Sequence, residues 1–174
     1  MLTLIAYASK YGAAETCAKY IAEKLDGNYE LVNLKKTPAP DLAKYDKIIL
    51  GGSIYASNVQ KEVKNFCTTN LEQLRKKPLG LFLSCMGLDQ VMLENNFRFS
   101  FPAELMEHST VADALGGAFD FQKMNFMEKQ LIKIIDKRLK KQGKPDLSLN
   151  GKQNISTIST DRIDVFAEYM NHAK

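Results

Sequence analysis

The chain opens on a short apolar run that stops at a small polar turn and restarts at once as a helix. Leu2, Leu4, Ile5 and Tyr7 carry the run, and Ser9-Lys10-Tyr11-Gly12 form the turn. Cys17, Ala18, Ile21, Ala22 and Leu25 then recur at the spacing of one helical face. A strand that feeds a helix through so few residues points backbone N–H groups, and the positive end of the helix dipole, at one spot. That spot suits a phosphate. A ligand site is implied before any catalytic side chain.

The rest of the sequence repeats the alternation. Glu30 to Leu34 reads as a second strand and Lys47 to Leu50 as a third, ending in Gly51-Gly52. Val59, Val63, Phe66, Cys67, Leu71 and Leu74 stripe the next helix, and Pro78 introduces a fourth strand over Leu79 to Ser84. A short helix at Asp89 to Asn95, an aromatic loop (Phe97, Phe99, Phe101, Pro102) and a second short helix to His108 are expected next. Val111 to Phe119 reads as the fifth strand, with Gly116-Gly117 marking a bulge or a close backbone approach. Met127, Leu131, Ile134, Ile135 and Leu139 predict a long helix, Leu147 to Ile158 a short edge strand, and Asp161 to His172 a final helix. Strands alternating with amphipathic helices make an α/β fold, a doubly wound five-stranded parallel sheet in the order 2-1-3-4-5 with helices on both faces. Ligand is expected at the strand C-termini. At 174 residues, with no repeat or linker, residues 1–174 read as a single domain.

Composition closes several routes. No stretch approaches a membrane-spanning length, and Met1 leads straight into the first strand without a secretory signal core, so a cytoplasmic protein is expected. Cys17, Cys67 and Cys85 are odd in number and widely spaced, which predicts reduced, buried thiols. With only His108 and His172, no metal site is expected. The net charge is +4, and much of it gathers in Lys129, Lys133, Lys137, Arg138, Lys140, Lys141 and Lys144. That run reads first as a solvated helix face and second as a patch for an anionic surface. No nucleic-acid-binding motif accompanies it, and no nucleic acid partner is expected.

Three segments end neighbouring strands at one rim of such a sheet: Ser9-Lys10-Tyr11-Gly12-Ala13, Ser53-Ile54-Tyr55-Ala56-Ser57 and Ser84-Cys85-Met86-Gly87-Leu88. All are rich in small or hydroxylated residues, which let backbone donors approach a flat ligand, and Tyr55 adds an aromatic plane. A phosphate cradle, an aromatic wall and a third backbone loop together fit flavin mononucleotide (FMN). Other nucleotide sites fail on their own terms. The P-loop and the G-x-G-x-x-G pattern are both absent, and Asn33-Leu34 stand where a dinucleotide fold needs an acid. A phospho-receiver domain needs carboxylates where this chain has Ala8-Ser9 and Gly51-Gly52.

On these residues the chain resembles the flavodoxin family over nearly its whole length. More narrowly, Ser9 to Gly12, the run Gly51 to Ser57 and the run Gly116 to Phe121 are similar to the flavodoxin-like, menaquinone-dependent protoporphyrinogen IX dehydrogenases. The resemblance implies that Ser9, Lys10, Tyr11, Gly12 and Ala13 wrap the FMN phosphate. It puts Ser53, Ile54, Tyr55, Ala56 and Ser57 on one side of the flavin ring and Ser84, Cys85, Met86, Gly87 and Leu88 on the other. Many flavodoxins carry a hydroxyl residue where this chain has Ala14, and Thr16 is the nearest candidate to replace it.

The implied function is an FMN-dependent oxidoreductase in which no side chain is catalytic and the flavin carries the chemistry. Its partners would be a porphyrin-like substrate and a quinone. The alternative is a flavodoxin-type electron carrier serving a redox partner protein, and a third reading is an interaction module without flavin. Phe119, Phe121, Met124 and Phe126, beside the basic helix, add peripheral membrane contact as an expectation, with ordinary core packing as its rival.

Overall fold

The computed structural model describes residues 1–55, 58–86, 90–141 and 154–174, without the side chains of 119, 128, 131, 135, 136, 138, 139 and 141. Among the described residues, parallel strands β1 (Leu2–Ala8), β2 (Asn28–Asn33), β3 (Lys47–Tyr55), β5 (Leu79–Ser84) and β6 (Val111–Ala114) lie in the order β2-β1-β3-β5-β6. Counted along the parallel strands alone, this is the 2-1-3-4-5 winding. A two-residue strand, β4 (Asn58–Val59), turns back antiparallel on the end of β3. The central strands β1, β3 and β5 are buried through most of their length, as their unbroken apolar runs require.

Helices cover both faces. On one side α1 (Ala13–Lys24) and α7 (Thr160–His172) enclose Ile5, Cys17, Ile21, Ile49, Phe82, Phe166 and Met170. On the other, α2 (Lys61–Thr69), α3 (Leu71–Leu74), α4 (Gln90–Ser100) and α5 (Ala103–His108) enclose Leu4, Leu50, Val63, Phe66, Leu81, Phe97 and Leu105. A small third cluster joins Phe121, Met124 and Ile132, the last on α6 (Phe126–Lys141), with Tyr11 and Ile155 packed against it. Lys47 is buried at the start of β3, where its ammonium donates to the Met170 and Asn171 carbonyls at 2.7 and 2.9 Å and caps the end of α7.

Several elements depart from the sequence expectation. The third strand does not end at Gly51-Gly52 but runs on to Tyr55. Those glycines answer to packing, because a Cβ on Gly51 would sit 2.3 Å from the Phe82 ring and one on Gly52 2.7 Å from Val59. Val59 belongs to β4 rather than to the helix that follows. The aromatic stretch is not a loop: residues 97 to 100 form the last turn of α4, and Phe101, directly after it, stacks on Phe97 at 6.1 Å. The fifth strand stops at Ala114, since Gly116 turns to φ +82° and the Thr157 carbonyl passes where its side chain would be. The close approach expected there is found, and Ala118–Phe119 form a separate strand, β7, paired with β8 (Ile155–Ser156). Of the expected edge strand at residues 147 to 158, positions 147–153 lie outside the described residues. Cys17 and Cys67 are the buried free thiols expected, whereas Cys85, expected to be buried, is free but partly exposed at the end of β5.

Candidate functional site

Parallel register brings the three turns to one rim. Ala8 pairs with Gly52 across β1 and β3, and Ser53 pairs with Ser84 across β3 and β5, so the chain leaves all three strands at the same edge. Ser9 to Ala13, Ser53 to Tyr55 and Ser84 to Met86 therefore stand side by side. Ala56, Ser57, Gly87 and Leu88 lie outside the described residues.

The first turn is built around Gly12. Its φ of +99° disfavours any residue with a Cβ, and nothing lies within 4 Å of where a Cβ would point. The Gly12 N–H donates to Ser9 Oγ at 3.0 Å, which leaves the Ser9 hydroxyl proton available to a ligand. No side chain caps α1. Its first N–H groups, from Ala13 to Glu15, have no carbonyl within the helix to pair with. Thr16 does not take the place of the missing hydroxyl, because its Oγ1 donates back to the Gly12 carbonyl at 3.1 Å. Ala14 is fully buried in the core under α1. The Glu15 carboxylate, the one acid in this first turn, is held in its ionised form chiefly by its hydrogen bond to Lys19 at 2.8 Å. That pairing moderates its repulsion toward an anion.

Lys10 ties this turn to the second. Its ammonium lies 4.3 Å from the centroid of the Tyr55 ring and 5.2 Å from that of Tyr11. Tyr55 remains 47% exposed, an open aromatic face beside a positive charge. Tyr11 itself leans on the third apolar cluster. Around these turns the buried Gln60 Oε1 and Ser84 Oγ find no hydrogen-bond partner of ordinary geometry among the described residues. Gln60 Nε2 donates to Ser53 Oγ at 3.3 Å, which fixes the base of the β3 turn. At the third turn, Cys85 and Met86 pack against Gly117, where a Cβ would come within 2.9 Å. Burial pushes the Cys85 thiol up to about 11, so it is neutral at pH 7 and no nucleophile.

This donor set fits FMN. A phosphate would meet unpaired helix N–H groups, the Ser9 hydroxyl and a lysine, and a flat ring would meet the open face of Tyr55. Among the described residues no three His, Cys, Asp or Glu side chains gather.

Residues 90–108, expected from the sequence to cover the flavin or contribute to a substrate site, line a separate feature. A cleft of about 500 Å³ opens between α4, α5 and β6, with Phe97, Phe101 and Met106 in it and Asp113 and Arg162 at one side. Among the described residues, none from the three turns lines it. Arg162 donates to both carboxylate oxygens of Asp113, from Nε to Oδ2 at 2.9 Å and from Nη2 to Oδ1. No local rule of sequence joins these two residues; the one oddity on the chain is an arginine in the first turn of a helix, where the dipole favours acids, and it does not name the partner.

The sequence matches the flavodoxin domain family over residues 4–146, and the chain belongs to that family. No curated protein matches it. Among solved structures, a flavodoxin from the domain Archaea is similar at 13% identity, with a TM-score of 0.47 over 66% of this chain and 83% of that one. Rubredoxin oxygen:oxidoreductase from Desulfovibrio gigas is similar at 13% identity, with a TM-score of 0.50 over 98% of this chain and 35% of that one. This chain thus spans about a third of that enzyme's length. A mutant flavodoxin of Fusobacterium nucleatum, solved with FMN bound, is similar at 14% identity, with a TM-score of 0.42 over 65% of this chain and 66% of that one. Identities so low speak to the fold alone.

Proposed function

We propose that this chain binds FMN at the shared rim of β1, β3 and β5 and works as an electron-transfer flavoprotein. The observation that carries the reading is the convergence at Lys10. One cation touches the aromatic face of the second turn while belonging to the turn that opens α1. Ser9, Lys10, Gly12 and Ala13 would hold the phosphate, with Tyr11 shielding it from water. Ser53, Ile54 and Tyr55, with Ala56 and Ser57, would line one side of the ring, and Ser84 to Leu88 the other. When bound, FMN supplies a ring that takes up and releases electrons. The protein's own part is to orient that ring, exclude water from its buried side and set its potential. The neutral Cys85 thiol and the Lys10 charge favour a negatively charged ring more than acidic loops would.

A second reading makes the chain an oxidoreductase that removes hydrogens from a porphyrinogen and delivers electrons to a quinone. It rests on the motif resemblance and on the apolar side chains of Phe126 and Met127, exposed beside the Tyr11 cluster. Absorbance spectra of the purified protein before and after FMN addition test the shared premise. Cytochrome c reduction by the FMN-loaded, prereduced protein then tests the carrier reading. Protoporphyrinogen turnover with a soluble quinone tests the enzyme reading, and its absence at saturating FMN leaves the carrier. A protein that takes up no FMN ends both.

A further inference from the structure

We infer that the outer face of α6 is a contact surface for an anionic lipid bilayer. At about 100° per residue, Phe126, Lys133, Lys137 and Lys140 fall along one line of this 16-residue helix. Gln130, Ile134 and Met127 flank that line. Every one of these seven residues is exposed. The apolar members are unusually so: Met127 is 80% exposed, Phe126 76% and Ile134 51%. Ile132, on the opposite side, is the one that packs into the Phe121 cluster.

Charge selects the occupant. The six basic and two acidic residues of α6 account for the whole +4 of the chain, and the exposed line contains three lysines and no carboxylate. Lysines on long stems beside a phenylalanine and a methionine suit a surface that is anionic above and apolar beneath, since the ammonium groups reach headgroups while the rings and thioether enter the acyl boundary. No helix of the described residues is long and apolar enough to cross a membrane, so the contact is peripheral. This inference does not depend on FMN and stands or falls separately from it.

The test is cosedimentation of the full chain with vesicles of phosphatidylcholine alone and with about 30% phosphatidylserine, at low and high salt. Binding to the anionic vesicles only, weakened by salt, is expected. Lys133→Gln with Lys137→Gln lowers the partition coefficient by roughly twenty-fivefold, at about fivefold per lysine. Phe126→Ser with Met127→Ser lowers it at least about tenfold, while thermal unfolding shows both variants folded. No binding at millimolar lipid overturns the inference, as does binding that ignores both double variants. Loss with the lysine pair but not with the apolar pair reduces it to loose adsorption and overturns insertion. Tighter binding to a short DNA duplex than to vesicles, or a concentration-dependent dimer abolished by the Phe126/Met127 change, assigns the face to nucleic acid or to a second copy instead.

Discussion

The Lys10 ammonium stands 4.3 Å from the centroid of the Tyr55 ring, joining the turn after β1 to the end of β3 across the rim of the sheet. A lysine placed there puts positive charge on the turn that opens α1, two residues before its N-cap Gly12, and packs that charge against an exposed aromatic face. The contact costs little structure, because both residues are at the surface.

Replacing it therefore separates binding from folding. Lys10→Met is expected to weaken FMN binding about tenfold, the size of one charge-assisted contact at a partly exposed site. Thermal unfolding should move by no more than a degree or two. Fluorescence titration of FMN with each protein, beside a melting curve, checks both halves.

Gly12→Ala acts on the backbone instead. A Cβ meets no atom there, so its cost is conformational, about 1–2 kcal/mol for an L-residue held in the left-handed region. Urea unfolding should report that loss, and FMN affinity should fall as well, because relieving the strain turns the first N–H groups of α1 away from their common focus.

Gly51→Ala tests the corrected role of the central glycines. With its Cβ 2.3 Å from the Phe82 ring, the variant should lose about 1–3 kcal/mol or more of stability through overpacking. Phe82→Leu in the same chain should restore part of it, a coupling that chemical denaturation of the two single variants and the double variant measures directly. If the glycines served only ligand approach, the pair would behave additively.

Alkaline pH should unfold the protein early. Burial pushes the Cys17 and Cys67 thiols up to about 12 and Cys85 up to about 11, from an ordinary value near 9. A raised pKa means that the folded state keeps protons which the unfolded chain has lost, so stability is full below about pH 9 and falls as pH rises toward the folded values. Between pH 9 and 10 the three thiols together remove about 3 kcal/mol. Urea midpoints in reducing buffer at pH 8, 9 and 10 read the slope, and Cys17→Ala with Cys67→Ala should flatten it by about two thirds.

What the sequence disclosed followed from local rules, and what it hid depended on neighbours across the fold. The fourth parallel strand was legible to the residue, Leu79 to Ser84, because Pro78 cannot continue a helix and six buried residues follow it. The Ser9 to Ala13 turn was legible for the same reason, being a strand, a turn and a helix within a dozen residues. Glycine misled at Gly51-Gly52, since a side chain is missing there to admit Phe82, a residue thirty positions away. Aromatic crowding misled at residues 97 to 101, where Phe97 and Phe101 lie one helical turn apart and Ser100 Oγ receives the Val59 N–H at 3.1 Å. Of the segment from Phe119 to Phe126, Phe121 and Met124 went to the core and Phe126 to the surface. The split depends on where α6 begins, which no residue in the run announces. The Lys10–Tyr55 and Asp113–Arg162 contacts were beyond reach, because each joins residues more than forty positions apart.

The central claim is that the opening of α1, with Ser9 and Lys10, grips a phosphate. It is tested most directly by titrating the protein with FMN and with riboflavin, which carries the same ring without the phosphate, and following flavin fluorescence. The account predicts that FMN binds at least about a hundredfold more tightly, since about 3 kcal/mol of charge-assisted hydrogen bonding is absent from riboflavin. Equal affinity for the two, or no quenching of either at millimolar flavin, would contradict it.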